Sequence, residues 1–406
     1  MQLRDYQVEK ANQAVEVLTN HYIVYLSMEV RTGKTLTSLE TAKLFGSKNV
    51  LFLTKKKALK SINKDYEDFG YNNHFKLTII NNESLHTIDS DFDLIISDEH
   101  HRCGTYPKPN NVTKLIKQRY SKLPMIFLSG TPHPESYSQI YHQFWISDNS
   151  PFKSWTNFYK WAQVFVTITE KNFGYAKIKD YSNCNYEKIK PIMDNYFITF
   201  TQKEAGFTSE VTEHILRVKM SDYTYSLIKR LKKDKIVQGK NEIILADTAV
   251  KEMSKVHQLY SGTVKFESGA TMTIDYSKAN FIKKEFNKQK IAIFYKFKAE
   301  LDTLKEIYKD SLTEDLEVFN STDKNIALQI VSGREGISLS SAEYLVYYNI
   351  DFSALSYWQS RDRLTTMDRL KNNVYWIFAE GGIEDKIYKS VANKKDFTLS
   401  VYKKNG

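Results

Sequence analysis

Short apolar runs punctuate the chain, each followed by a polar turn and then by residues at helical spacing. That rhythm constrains the fold more than any other feature. Residues 23–26, 49–53, 76–80, 94–97 and 125–128 read as strands, and 6–19, 35–45 and 58–69 read as helices. Parallel strands need a long crossover between neighbours, and a helix is the usual one, so this alternation predicts parallel sheet covered on both faces. The rhythm lapses after about residue 132 and returns at 278. There 278–286, 299–308 and 357–369 read as helices, and 291–294, 327–331, 344–348 and 374–378 as strands. The expected architecture is α/β: two tandem parallel-sheet lobes, 1–150 and 276–406, with a mostly helical segment at 151–275. Aromatic residues at helical spacing (Tyr141, Phe144, Trp145, Trp155, Phe158, Trp161) mark the start of the middle, and a cationic, helix-like stretch runs over 223–236. Such aromatics more often build a core than stack on bases.

No apolar run approaches the roughly 20 residues that span a bilayer. The N-terminus MQLRDYQVEK has no signal-peptide stretch. No membrane partner is expected, and two cysteines, Cys103 and Cys184, in 406 residues point to a reducing cytoplasm. Lys+Arg number 58 against 48 Asp+Glu, a net charge of +10. On composition alone, nucleic-acid binding and simple solubility remain equal readings. Only 10 of the 58 cations are arginine. Arginine is the planar fork suited to phosphate, so each arginine's position carries more information than the lysine total.

Three motifs carry chemistry in the first lobe. Ser27 to Thr35 follows a strand and opens a helix, the setting in which free N–H groups and the helix dipole bind phosphate. Gly33 allows close backbone approach, Lys34 can neutralise the outer phosphates, and the Thr35 hydroxyl can ligate Mg2+. Arg31 and Thr32 lie in the same loop, and Met28 stands where a first glycine is usual. Leu94-Ile95-Ile96-Ser97-Asp98-Glu99-His100-His101 is an apolar strand ending in two carboxylates. Asp98 suits Mg2+, Glu99 suits activation of a water, and His101 is placed to couple this turn to the next. Ser129-Gly130-Thr131 follows another strand, with Ser129 and Thr131 as hydroxyl partners for that coupling. Lys55, Lys56 and Lys57 also follow a strand; they read either as phosphate-backbone contacts or as a solvated lysine run.

In order, these motifs resemble those of superfamily 2 helicases and translocases. More narrowly the chain is similar to the Swi/Snf-like branch, in the compact form found in bacteriophages. Leu3-Arg4-Asp5-Tyr6-Gln7 resembles the adenine-recognition motif, which implies that Gln7 reads the adenine edge with Arg4 nearby. The stretch through Gln143-Phe144-Trp145, the segment Thr199-Phe200-Thr201-Gln202-Lys203-Glu204 and Ile291-Ala292-Ile293-Phe294-Tyr295 resemble later parts of that branch. Gln329 to Leu339 resembles motif V, which implies nucleic-acid contacts for Ser332 and Arg334 and a nucleotide-side role for Gly336. Tyr357-Trp358-Gln359-Ser360-Arg361-Asp362-Arg363 resembles motif VI, which implies an arginine finger at Arg363 and a coupling role for Gln359. The second arginine of that motif is here Thr366, with Arg361 and Arg369 out of register. Glu380 to Ile387 resembles the closing helix of the family.

The resemblance implies two RecA-like lobes and ATP with Mg2+ as cofactors. It implies an ATP-dependent DNA helicase or translocase acting on duplex, forked, branched or single-stranded DNA, with replication or recombination proteins as candidate partners. An RNA helicase and a non-catalytic nucleic-acid-binding module are the alternatives.

Overall fold

The computed structural model describes residues 2–88, 90–172, 177–207, 210–239, 242–333, 337–365 and 371–393. The chain forms two units, Met1–Phe207 and Thr208–Gly406.

The first unit opens with α1 (Asp5–His21), which buries Gln7, Ala11, Ala14 and Leu18 on one face at helical spacing. Tyr22, in the left-handed region at φ 61°, ends that helix and turns the chain into β1 (Ile23–Met28). There follow α2 (Lys34–Phe45), β2 (Asn49–Thr54), α3 (Leu59–Asp68), β3 (Lys76–Asn81), β4 (Leu94–Ser97), α4 (Asn111–Tyr120) and β5 (Met125–Leu128). Next come α5 (Ile140–Trp145), α6 (Phe158–Phe165), a hairpin of β6 (Thr169–Asn172) and β7 (Lys177–Asp180), α7 (Tyr186–Met193) and β8 (Phe197–Phe200). The six-stranded sheet runs β3-β2-β4-β5-β1-β8. Every pairing in it is parallel, so all six strands end on one edge. β1, β4 and β5 are almost wholly buried, as strands covered on both faces must be.

The second unit contains β9 (Glu210–Val218), α8 (Asp222–Asp234), the hairpin β10 (Ile236–Gln238) and β11 (Ile243–Leu245), α9 (Ala249–Tyr260), and the hairpin β12 (Thr263–Lys265) and β13 (Thr271–Thr273). It continues through α10 (Ser277–Glu285), β14 (Ile291–Tyr295), α11 (Lys298–Tyr308), β15 (Leu312–Thr313), α12 (Leu316–Ser321), β16 (Asn325–Gln329) and α13 (Ile330–Gly333). Last come β17 (Tyr344–Tyr347), α14 (Ala354–Arg361), β18 (Lys371–Ala379) and α15 (Glu384–Ala392). Its sheet, β15-β16-β14-β17-β18-β9, is again six-stranded and parallel throughout. The expected fold class, two tandem parallel α/β lobes, is what the chain adopts.

The middle segment differs from the helical stretch expected for 151–275. It is divided between the units at Phe207 and Thr208, and among the described residues it carries eight strands, six in hairpins and two at sheet edges, besides its helices. β8 extends the first sheet alongside β1, and β9 extends the second alongside β18. The aromatic stretch makes two helices, α5 and α6, separated by 146–157, which include Pro151. Tyr141, Phe144, Phe158 and Trp161 are buried in the first unit's core. The helix expected at 357–369 stops at Arg361 and passes into a tighter turn over Asp362–Leu364. Val331, expected at the end of a strand, lies in α13. Among the described residues, no helix is long and apolar enough to cross a membrane.

Candidate active site

Three neighbouring strands of the first sheet, β4, β5 and β1, deliver three motifs to the same edge. The carboxyl edge of a parallel sheet is where α/β proteins gather ligand groups.

The loop from β1 to α2 is held from several sides. Arg31 and Gly33 both lie at positive φ, 67° and 85°. Gly33 precedes the first residue of α2, so the loop leads directly into a helix N-terminus. A Cβ on Gly33 would stand 2.0 Å from Gln7 Nε2, so the Gln7 amide is packed on the glycine backbone. Gln7 is buried, and its Oε1 accepts from Arg4 N at 2.9 Å. Arg4 itself donates to the Tyr6 hydroxyl at 3.0 Å. Thr32 is buried and donates to Glu29 O at 2.7 Å. Lys34 Nζ donates to Met28 O at 2.9 Å and Glu29 O at 3.1 Å, so the ammonium lies within the loop. Thr35 occupies the first turn of α2, beside Lys34.

The far side of the loop is braced by the segment after β8. Glu29 N donates to Phe200 O, Gln202 N donates to Glu29 Oε2 at 2.7 Å, and Gln202 Nε2 donates to Val30 O at 2.8 Å. Nothing in the sequence around Gln202 assigns it this bracing role. Its signal is visible only once β8 is known to pair with β1.

At the end of β4, Asp98 Oδ2 accepts from Thr54 Oγ1 at 2.8 Å. Burial, and then the Glu99 charge, push the Asp98 carboxyl above its usual range; the Thr54 hydroxyl and the Lys34 ammonium pull the other way. Asp98 and Lys34 are thus electrostatic neighbours. Glu99 adopts the left-handed region at φ 49°, a strained setting for a residue with a side chain. His101 Nδ1 lies 3.3 Å from Glu99 Oε2 and 3.0 Å from Ser129 Oγ. Ser129 Oγ also accepts from Thr131 N at 3.1 Å. The acidic turn and the Ser-Gly-Thr turn are therefore joined through one imidazole. Gly130 completes the junction: a Cβ there would meet Met28 O at 3.4 Å and Lys34 Nζ at 3.7 Å.

Beneath these turns lies a buried polar relay. His100 bonds Ser97 Oγ at 2.9 Å and Gln143 O at 3.0 Å, and it stacks on Phe127 at 3.7 Å between centroids. Burial holds its imidazole down at about 3, hence neutral. Gln143 also accepts from Tyr25 OH at 2.7 Å and donates to Pro132 O at 2.7 Å. Gln143 thereby links β1, the acidic turn and the segment after Thr131.

Lys55, Lys56 and Lys57 follow β2 at the same sheet edge; Lys56 and Lys57 are exposed and Lys55 half-buried. Among the described residues, no three His, Cys, Asp or Glu side chains gather as a metal centre. Mg2+ keeps several waters and is commonly held by one or two protein ligands together with phosphates. The Asp98 carboxylate at the end of β4 and the Thr35 hydroxyl in the first turn of α2 are oxygen donors of that kind.

In the second unit, Arg363 is buried. Its Nε donates to Gln359 O at 3.0 Å and its Nη1 to Ile337 O at 3.2 Å. Arg361 pairs with Glu213 at 2.8 Å and lies 4.2 Å over the Trp358 ring. Gln359 is buried in α14, and Ser332 in α13 donates to Gln329 O at 3.1 Å. Arg334, Gly336, Thr366 and Arg369 lie outside the described residues. Lys296 is a junction that the sequence reading missed. Its Nζ meets Asp351 Oδ1 at 2.7 Å, its carbonyl accepts from Gln329 Nε2 at 3.1 Å, and Asp351 Oδ2 accepts from Ser356 Oγ at 2.8 Å. The ends of β14 and β16 and the start of α14 are thereby tied together.

Comparison with known proteins bears on the loop end of the first unit. Residues 1–88 match the family model described as Type III restriction enzyme, res subunit. The matched stretch includes Gln7 and the whole phosphate loop, on which the superfamily 2 resemblance in part rests. A search of the curated proteins gives no match. Among solved structures, the chain is similar to the Sulfolobus solfataricus SWI2/SNF2 ATPase core in complex with dsDNA, at 15% identity and TM-score 0.43, over 100% of this chain and 92% of that one. The Sulfolobus solfataricus SWI2/SNF2 ATPase core domain gives the same identity and TM-score, over 100% of this chain and 90% of the other.

Proposed function

We propose that the chain is an ATP-dependent DNA translocase or helicase of the superfamily 2, Swi/Snf-like type. One observation carries the reading: Lys34, Asp98, Glu99 and the Ser129–Thr131 turn converge on one sheet edge, with Lys34 close enough to Asp98 to stabilise its charge.

In this reading the N-terminus of α2 and Lys34 bind the phosphates, with Gln7 and Arg4 on the adenine side. Lys34 would exchange its two carbonyl partners for phosphate oxygens. Thr35 and Asp98 would hold Mg2+, which supplies charge neutralisation at the transferring phosphoryl group. Glu99 orients and deprotonates the attacking water. His101 touches both Glu99 and Ser129, so a change in the carboxylate's partner is felt at the Ser129–Thr131 turn. Arg363 supplies the finger, which requires its guanidinium to leave Gln359 O and Ile337 O. Lys55 to Lys57 and Ser332 contact nucleic-acid phosphates, and ATP turnover alternates grip on the strand.

ATPase assays on a panel of duplex, forked, four-way and single-stranded DNA, with RNA alongside, test this reading. Stimulation by DNA supports it. Stimulation by RNA alone favours the RNA helicase, and no hydrolysis under any condition leaves a non-catalytic module.

A further inference from the structure

The cationic stretch at 223–236 is not used by the ATPase site, and its tertiary setting gives it a role. It forms α8, which buries Thr224, Leu227, Ile228 and Leu231. That burial fixes the outward face. Lys229 and Lys233, one turn apart, lie at its centre, with Arg230 on one flank and Lys232 on the other; all four are exposed. Tyr223, a turn or two before Arg230 on the same flank, is 61% exposed.

Like charges at i and i+4 disfavour a helix. Cations in a last turn offset the helix dipole, which accounts for Lys232 and Lys233 but not for Lys229 or Arg230. In the tertiary structure Lys386 of α15 adds like charge beside Lys232, while Glu252 of α9 opposes it. Asp222 and Asp234 stand at the ends of α8, and Glu252 is engaged by Lys235 at 2.6 Å.

We propose that the outward face of α8 is a docking surface for the phosphate backbone of duplex DNA, separate from the loops at the sheet edges. Lysines supply sequence-independent attraction, and their contribution is read as counterion release. The exposed Tyr223 sets the edge of the contact. This inference rests on the DNA-motor reading and adds a surface to it.

The test is a salt titration of binding to a short labelled DNA duplex of arbitrary sequence, using the full chain. The variant is Lys229→Gln/Arg230→Gln/Lys233→Gln. The charge-matched control is Lys153→Gln/Lys160→Gln/Lys284→Gln, all three exposed and outside this face. Three lost phosphate contacts should reduce the slope of log affinity against log salt by about 2.7, at about 0.9 per contact. The control should keep the wild-type slope, and ATPase without DNA should be unchanged in both. A variant that keeps the wild-type slope, or a control that loses as much, overturns the docking surface while leaving the motor reading intact. A wild-type chain that hydrolyses ATP yet neither binds duplex nor responds to it overturns both.

Discussion

Gly33→Ala is the sharpest structural perturbation of the phosphate loop. Two costs add. Gly33 sits at φ 85°, and an alanine held in the left-handed region costs about 1–2 kcal/mol. Its Cβ would stand 2.0 Å from Gln7 Nε2 and 3.1 Å from Gln7 Cδ, so the amide must retreat by more than an ångström. Gln7 is 4% exposed and its Oε1 holds Arg4 N, so there is little room to retreat and a hydrogen bond to lose. Overpacking of this kind costs about 1–3 kcal/mol. The sum is roughly 2–5 kcal/mol, a large share of the ~5–15 kcal/mol typical of a domain. Gln7→Ala removes the obstructing amide, so Gly33→Ala in that background should cost only the backbone part. Urea unfolding of the four proteins closes the cycle, with the double variant about 1–3 kcal/mol more stable than additivity gives. Nucleotide-binding fluorescence should show weakened ATP binding in Gly33→Ala. Strict additivity would refute the contact between Gln7 and Gly33, and a harmless Gly33→Ala would refute the loop conformation itself.

Other outcomes follow from the same geometry. Glu99→Gln should bind ATP yet release no phosphate above background, and wild-type turnover would remove Glu99 from the role of base. Arg363→Ala should keep ATP affinity while kcat falls by about 10^3 or more; unchanged turnover would assign the finger elsewhere. His100 and His142 are held down at about 3 and about 4 by burial, against about 6.5 in an unfolded chain. Each therefore contributes stability that is fully present above pH ~6.5 and is lost at about 1.4 kcal/mol per unit as pH falls towards the folded values. Melting curves from pH 7 to 4.5 should fall less steeply in His100→Gln than in wild type, and equal slopes would contradict the assignment. Lys278 and Glu384 form a fully buried pair at 2.7 Å. Removing one partner, as in Glu384→Ala, should cost about 3–5 kcal/mol in denaturant unfolding, while Lys278→Met/Glu384→Leu should recover most of it.

The sheets were legible because their central strands are continuous apolar runs, a pattern that only burial on both faces explains. Ile23–Met28, Leu94–Ser97 and Met125–Leu128 are of this kind. Of the outer strands of the first sheet, Lys76–Asn81 was legible but Phe197–Phe200 was not, nor was Glu210–Val218 at the margin of the second. Glu210–Val218 mixes Glu, Thr, His and Arg with its apolar residues, because a strand at the sheet margin has less surface to bury. Missing it, and the short Phe197–Phe200, made the middle look separate and helical. The aromatics of α5 and α6 carried a true helical signal, but spacing could not show the interruption at 146–157. Among the candidate residues, those with distinctive side-chain chemistry stood out in the sequence: Lys34, Asp98 and Glu99 in the first unit and Arg363 in the second. Gln202, Gln143, Thr54 and Lys296 did not, because each acts by holding a distant segment. Bonds across more than 100 residues, such as Gln202 to Val30, leave no local spacing to read.

On the proposed function, the edge formed by β1, β4 and β5 hydrolyses ATP and DNA drives that turnover. Phosphate release by the purified full chain, measured with Mg2+ and ATP in the presence and absence of duplex DNA and repeated with Lys34→Ala, tests it most directly. Turnover should rise with DNA and be abolished in Lys34→Ala. Turnover that is indifferent to DNA, or that survives in Lys34→Ala, would contradict it.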